Sequence, residues 1–298
     1  MELRPRILIL GGTGMLGHEL WRTLTKKFQD TWVTVRSASG VNSPLDGLVP
    51  ASDNRIVRSV DVADFERLHS LFNELNPTVI INAVAVTKRN EGEKGDPASI
   101  AHVLRINAEL PHQLASWAKP RGVRVIHFST DCVFNGDRGG YSETDVPDAM
   151  DLYGRSKLLG EIDQVEGNCI TLRTSLIGRE LARKTELLEW FLGQKGKSVR
   201  GYRNAVFSGV ATWVMADLVI SLIEKNSDIR GVFQIAAEPI DKFTLLQIFN
   251  DVFKTGTTIA PEENFVCKRN LDGSKFRQVT GWIAPSWKEM VHGIANGK

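Results

Sequence analysis

The stretch R-I-L-I-L-G-G-T-G-M-L-G, residues 6–17, decides the fold. Arg6 to Leu10 is a nearly unbroken apolar run, the pattern of a strand covered on both faces. Gly11, Gly14 and Gly17 follow as G-x-x-G-x-x-G, and Met15 to Phe28 then places Leu16, Leu20, Leu24 and Phe28 on one helical face. Glycine is needed in such a turn because the chain bends tightly and its backbone N–H groups must approach a pyrophosphate with no Cβ in the way. The helix N-terminus adds the positive end of its dipole. The strand, turn and helix together imply a dinucleotide cradle built from Gly11, Thr13, Gly14, Met15, Leu16 and Gly17. The bland alternative is a tight strand-to-helix turn that binds nothing.

Outward from this stretch the strand and helix patterns alternate. Further strands are expected at Thr31 to Val35, Arg55 to Val60, Thr78 to Val84, Val123 to Phe128 and Cys169 to Leu172. Helices are expected at Asp64 to Leu75, Ala98 to Ala118 and Asp151 to Val165. Alternation of this kind requires right-handed crossovers and gives an α/β doubly wound parallel Rossmann sheet. After Arg173 the pattern loosens. Gly193 to Arg203, rich in glycine and basic residues, reads as a loop. Ala211 to Glu224 reads as a helix, Gly231 to Ile235 as a strand returning to the first sheet, and Phe243 to Phe253 and Trp287 to Ile294 as helices. The expected organisation is a dinucleotide-binding domain over 1–173, with 204–235 returning to it. A smaller C-terminal α/β substrate-binding cap is expected over 174–298.

The bulk numbers bound the function. The 298 residues are 42% hydrophobic and 24% charged, ordinary for a globular enzyme. A net charge of +2 gives no general attraction to nucleic acid, so an anionic ligand must be met locally. Cys132, Cys169 and Cys267 are scattered, which argues against a disulfide framework and against a zinc site and fits a reducing cytoplasm. The six histidines are dispersed, so no metal is expected. The R-I-L-I-L run passes straight into glycines and reads as a strand, not as a signal-peptide core. The longest apolar stretches, such as V-I-I-N-A-V-A-V at 79–86, fall far short of the ~20 residues of a membrane helix. A soluble cytoplasmic protein with neither nucleic-acid nor membrane partner is expected.

The second strand ends in V-T-V-R-S, with Arg36 where an acid would bind a ribose diol, and Ser37 beside it. A guanidinium suits a 2′-phosphate by charge and fork geometry, so NADP(H) is preferred and NAD(H) remains open. The alternative is a solvated strand-end charge. Asp61 can accept from the adenine amino group or serve as a helix N-cap. Val62 and the Ala83, Val84 and Ala85 of the fourth strand's end complete the expected cofactor contacts.

Two segments carry the chemistry. H-F-S-T-D-C-V-F-N-G (127–136) puts Thr130 at the carboxyl edge of the sheet, where open α/β folds bind ligands. Y-G-R-S-K (153–157) puts Tyr153 and Lys157 four apart on one helix face. Together they suit carbonyl reduction. Tyr153 supplies a proton to the oxygen, the Lys157 ammonium draws the phenol pKa down from its usual ~10, and Thr130 holds the oxygen. Asn107, in R-I-N-A-E-L-P-H, is read either as the tether of a proton-relaying water or as a structural helix asparagine.

G-G-T-G-M-L-G, the N-A-V-A of 82–85, S-T-D-C-V-F-N-G, Y-G-R-S-K with L-L-G-E after it, and R-T-S-L-I-G from Arg173 resemble the extended short-chain dehydrogenase/reductases. The closest branch is the one containing dTDP-4-dehydrorhamnose reductase. The resemblance runs through roughly the first 180 residues and more faintly through G-V-F-Q-I-A-A-E near 235. It implies NADPH-dependent reduction of a 4-keto group on a nucleotide-linked deoxysugar for surface polysaccharide, with Thr130, Tyr153 and Lys157 as triad; by analogy it also implies a homodimer. Cys132 stands where that branch reads tyrosine and Leu176 where it reads tryptophan, and the segment from Ser37 to Asn54 is longer. Both substituted positions lie close to the sugar in that family, so a different sugar is expected, with Asp131 also counted among its contacts. For the nucleotide, Lys88, Arg200 and Arg203 are the candidate cations; a solvated basic loop is the alternative for the two arginines. Two competing functions remain: an NAD-dependent nucleotide-sugar 4-epimerase, which Arg36 opposes, and a non-catalytic dinucleotide-binding subunit.

Overall fold

The computed structural model describes residues 5–36, 54–92, 95–163, 167–181 and 184–298. Ser37 lies outside them. In chain order the elements are β1 (Ile7–Leu10), α1 (Met15–Lys27), β2 (Thr31–Thr34), β3 (Ile56–Val57), α2 (Phe65–Leu75), β4 (Val79–Asn82), α3 (Pro97–Leu104), α4 (Leu110–Ala118), β5 (Arg124–Thr130), α5 (Leu152–Leu159) and β6 (Cys169–Thr174). There follow β7 (Leu176–Ile177), α6 (Leu187–Leu192), β8 (Ser198–Tyr202), β9 (Ala205–Phe207), β10 (Val210–Ala211), α7 (Thr212–Glu224) and β11 (Gly231–Gln234). The chain ends with β12 (Ile240–Asp241), α8 (Lys242–Phe253), β13 (Thr258–Glu262), β14 (Cys267–Lys268), α9 (Ser274–Thr280) and α10 (Trp287–Ala295).

Among the described residues the main sheet has seven strands in the order β11-β6-β5-β4-β1-β2-β3. The pairs β1–β2, β1–β4, β2–β3 and β4–β5 are parallel. Sequence order runs outward from β1 on one side and from β4 on the other, so the switch point lies between those two strands. Ligands of open α/β sheets bind at its carboxyl edge. The expected doubly wound α/β class is therefore the observed one. Ile7, Leu8, Ile9 and Leu10 are all fully buried, as a strand sandwiched by helices requires.

The chain divides into two compact units. The first comprises Met1–Ser129, Met150–Leu172 and Val219–Val232; the second comprises Thr130–Ala149, Arg173–Leu218 and Phe233–Lys298. In the first, Leu8, Leu10, Leu68, Phe72, Ile80, Leu110, Leu114 and Val125 form a core under α2 and α4, with Phe72 and Trp117 at 5.0 Å between ring centroids. Fully burying one such aliphatic side chain contributes roughly 1.5–3 kcal/mol. Arg124 of β5 ties in the Val219–Val232 segment by donating to the carbonyls of Ser227 (2.6 Å), Ile229 (3.1 Å) and Asn226 (3.2 Å). In the second unit α6 meets α8 through Phe191 and Phe249 at 5.9 Å, and β9 meets α10 through Phe207 and Trp287 at 5.2 Å.

Four sequence expectations are corrected. The single helix expected over Ala98 to Ala118 is interrupted by a π-turn, Arg105–Glu109, in which the Leu110 N–H reaches the Arg105 carbonyl. Pro111 has no N–H to give to the carbonyl four residues back, and the ladder widens there instead. The strand expected over Arg55 to Val60 contracts to the two residues of β3. The helix expected to run to Val165 ends at Leu159, before Gly160. Residues 193–203, expected as a loop, contain β8, which pairs in parallel with all five residues of β13. Glycines and charged side chains hid that strand because its partner lies far along the chain.

Candidate active site

The glycine turn lies wholly in the first unit. Gly11 has φ +91°, the left-handed region that glycine occupies without strain. Its N–H approaches the Thr34 hydroxyl at 3.3 Å, and the Gly12 N–H donates to the Thr34 carbonyl at 2.9 Å. A Cβ on Gly17 would stand 2.0 Å from the Gly11 carbonyl oxygen, so α1 packs on the turn only because that position has no side chain. Helix α1 starts at Gly14 with no side-chain cap and no acid in its first turn. In contrast, Asp64 caps α2 by accepting from the Arg67 N–H at 3.0 Å, and Asp151 caps α5 by accepting from the Gly154 N–H at 2.9 Å. The close-packed glycines and the bare positive helix end fit a dinucleotide pyrophosphate.

Around the turn, Ala83 gives its N–H to the Leu10 carbonyl at 3.1 Å, and Val84 lies where a Cβ on Gly11 would strike its Cγ2 at 2.8 Å. Thr13 and Met15 are partly buried, Leu16 and Val62 are buried, and Ala85 and Arg36 are exposed. Asp61 does not cap α2. Its carboxylate accepts from the Ala63 N–H at 3.0 Å, which leaves the cap to Asp64.

Lys157 is the least expected side chain in this unit, a lysine only 2% exposed. Burial drags its pKa down to about 8, opposed by the negative charge of Glu161. Among the described residues its ammonium makes no hydrogen bond. Tyr153, one turn earlier on α5, is partly buried. The helix is held from behind by Asn107. That amide donates to the Ser156 hydroxyl at 3.0 Å and to the Val86 carbonyl at 2.8 Å, and it accepts from the Val86 N–H at 2.9 Å. Both its N–H groups are thus taken by protein, and only the second lone pair of Oδ1 is left for a water. A Cβ on Gly160 would lie 2.0 Å from the Asn107 carbonyl oxygen, which fixes how closely α5 approaches the π-turn. Lys88 forms an exposed ion pair with Asp151 at 2.6 Å, on the α5 cap.

Three groups in this unit make contacts that the sequence did not assign to them. His127 accepts at Nδ1 from the Asn82 amide at 3.2 Å, because the Asn82 Oδ1 is already accepting from the Val84 N–H. Burial first, and the Lys157 charge second, hold this imidazole neutral. Ser129 donates to Glu161 at 2.6 Å, fixing a carboxylate whose charge favours the Lys157 ammonium. The spacing of four that joins Tyr153 to Lys157 continues to Glu161, a signal the sequence carried.

The second unit holds the other candidates. Thr130, the last residue of β5, gives its hydroxyl proton to Asp131 at 3.1 Å and accepts from the Cys132 N–H at 3.1 Å. The other oxygen of Asp131 accepts from Ser175 at 2.7 Å. Cys132 has its thiol 3.6 Å from the Arg269 guanidinium. Leu176 is partly buried on β7, opposite Val210 of β10. Arg200 and Arg203 stand near Glu262 and Glu263, at 3.8 and 4.0 Å, and Arg203 lies over the Phe243 ring at 4.2 Å. Lys242, at the start of α8, was not singled out from the sequence. Among the described residues no helix is long and apolar enough to cross a membrane, and no metal-ligating cluster is found.

Comparison with known proteins places this geometry. The chain is 29% identical over 195 residues to the dTDP-4-keto-6-deoxy-D-glucose reductase of Streptomyces niveus, covering 63% of this chain and 59% of that one. It is 31% identical over 164 residues to methionine adenosyltransferase 2 subunit beta of Mus musculus, covering 55% and 43%. The chain spans about half the length of the curated relatives it matches. The crystal structure of dTDP-4-dehydrorhamnose reductase from Bacillus anthracis in complex with NADP superposes with a TM-score of 0.79 at 20% identity, covering 99% of this chain and all of that one. The family model for the RmlD substrate binding domain matches residues 5–296, and the chain belongs to that family.

Proposed function

We propose that the protein reduces the 4-keto group of a nucleotide-activated deoxysugar with NADPH, the first unit holding the dinucleotide and the second the sugar nucleotide. One observation carries the reading: a buried lysine with no hydrogen-bond partner, one turn from a tyrosine, in the unit that bears an uncapped glycine-cradled helix. The Streptomyces relative's activity supports the substrate class.

Gly11, Gly14 and Gly17 would hold the pyrophosphate, and Arg36 the 2′-phosphate. When bound, the reduced dinucleotide supplies hydride to the carbonyl carbon. Tyr153 delivers its phenolic proton to the oxygen as negative charge gathers there. Lys157 keeps its charge at neutral pH, because its pKa falls only to about 8, and that charge favours phenolate over phenol. Asn107 fixes the rotation of α5 by bonding Ser156 between those two residues. Thr130 would orient the oxygen, for which its proton must turn from Asp131 to the substrate. Cys132 and Leu176 leave more room than the tyrosine and tryptophan of the resembled branch, which points to a sugar other than dehydrorhamnose. The family resemblance alone adds a cytoplasmic homodimer.

The test is NADPH consumption across a panel of dTDP- and UDP-4-keto-6-deoxysugars. Tyr153→Phe should lower turnover by about 10²- to 10⁴-fold while NADPH still binds. Unchanged behaviour would instead make the protein a binding subunit, the kind of role that the mouse relative's name describes.

A further inference from the structure

A single guanidinium braces the segment that follows Thr130. The chain leaves β5 through a short turn, Asp131–Val133, and runs on through Phe134, Asn135 and Gly136, with Val133 and Phe134 fully buried. Arg269, just after β14, reaches this segment within the second unit. Its Nε donates to the Phe134 carbonyl at 2.9 Å, its Nη2 donates to the Asn135 carbonyl at 3.2 Å, and its Nη1 lies 3.6 Å from the Cys132 sulfur. The main chain beside it adds the Lys268 N–H, which donates to the Gly136 carbonyl at 2.6 Å. Gly136 has φ +93°, and a Cβ there would stand 3.0 Å from the Arg269 Cγ. The glycine therefore both turns the chain and admits the arginine stem. A planar fork can address two successive carbonyls and a thiol together, which an ammonium, a point charge, cannot do.

Cys132 is thereby held at both ends. Its N–H donates to the Thr130 hydroxyl at 3.1 Å, and its sulfur meets the Arg269 guanidinium. Thr130 is the group that would orient the substrate oxygen, at the carboxyl edge where open α/β sheets bind ligands. A side chain fixed two residues from that hydroxyl is a wall of set shape. Against such a wall a wrong ring substituent clashes, whereas a wall on an unbraced turn gives way to either configuration.

We infer that Arg269 is a positioning residue for sugar selectivity: by bracing residues 132–135 it fixes the Cys132 thiol beside Thr130, and so sets which ring configuration the second unit accepts. This rests on the reductase reading and names the part of that site which selects the sugar.

The test is calorimetric titration of the full chain with dTDP, dTDP-rhamnose and dTDP-6-deoxyhexoses that differ from it at one ring carbon. The readout is the affinity ratio between the tightest and the weakest sugar. Arg269→Met keeps the stem past Gly136 and removes the fork. It should shrink that ratio by about tenfold and leave dTDP unchanged. Arg269→Lys, which keeps the charge without the fork, should shrink it as much, and it carries the test if the methionine variant does not fold. With Cys132→Ala already in place, Arg269→Met should move the ratio by less than about twofold, because the wall it acts through is gone. An unchanged ratio, a uniform weakening that includes dTDP, a full effect in the Cys132→Ala background, or failure of both variants to fold would each overturn the inference. If the ratio responds but no keto-sugar oxidises NADPH, the reductase reading fails and the selectivity role stands. Wild-type protein that binds every sugar alike overturns the inference, and one that binds no sugar nucleotide overturns both.

Discussion

Lys157 and Lys242 share an electrostatic state and differ in what holds them there. Both are pulled to about 8 by burial, and among the described residues neither ammonium is hydrogen-bonded. Lys157 is enclosed within the first unit, where the Glu161 charge favours its ionised form. Lys242 is less enclosed, lies on an aromatic face and is favoured by four anionic or titratable neighbours. The first position follows from local sequence, since Tyr153 and Lys157 lie four apart on α5 and Glu161 follows just past the helix end. The second follows from which ring β9 presents and which carboxylate follows β5, and local sequence does not fix how these come together. A buried cation is thus legible when its neighbours are close in sequence and hidden when tertiary packing supplies them.

The largest effect that would break this comparison belongs to Lys157→Met. Turnover should fall by about 10²- to 10⁴-fold, since the phenol loses its neighbouring charge. Stability should move the other way. Lysine is charged in both folded and unfolded states below pH 8, so the burial penalty is fully present there and amounts to on the order of 3 kcal/mol. Between about 8 and 10.5 the unfolded chain binds more protons than the folded one, so wild-type stability gains from this group as pH rises. Denaturant melts at pH 7 and 10 should show the methionine variant more stable at pH 7, with the gap closing at pH 10. A variant less stable than wild type at pH 7 would mean the ammonium is partnered in solution. In the same pH range kcat/KM of the wild type should decline above about 8 as Lys157 loses its proton.

Gly160→Ala probes the enclosure itself. The glycine has φ −88°, which alanine tolerates, so its effect is steric: the new Cβ would meet the Asn107 carbonyl at 2.0 Å. Moving α5 off the π-turn should destabilise the protein by about 1–3 kcal/mol and lower kcat. Binding of dTDP-rhamnose, assigned to the second unit, should hold. Loss of that binding with kcat intact would reverse the division of labour between the units.

The same contrast explains what the sequence could convey. In the first unit the glycine turn, the buried β1 and the amphipathic α1 and α2 are each written within one short window, so their period sufficed. The π-turn was missed because an i→i+4 pattern continues through it and only Pro111 signals the change. Asp64 took the cap rather than Asp61, a choice three residues wide that composition cannot make. In the second unit the strands are short, and β8 carries an exposed, half-buried and charged mixture with no period of two. Its ladder with β13 exists because two distant segments meet. Arg200 and Arg203 were legible as cations, but their acidic neighbours on and after β13 were not.

Lys88 gives the smallest effect and the sharpest control, being a lysine whose partner is already in place. Its Nζ lies 2.6 Å from Asp151 with both side chains about 40% exposed, and the other Asp151 oxygen caps α5. Lys88→Ala should destabilise by under about 1 kcal/mol, because an exposed pair pays in side-chain entropy most of what it gains. The difference should vanish in 1 M salt, where screening acts within roughly 3 Å. Sugar-nucleotide KM should change little, since the ammonium is committed to the helix cap. A tenfold rise in that KM, unaffected by salt, would make Lys88 a substrate contact and show that a satisfied surface cation can serve as well as an unsatisfied buried one.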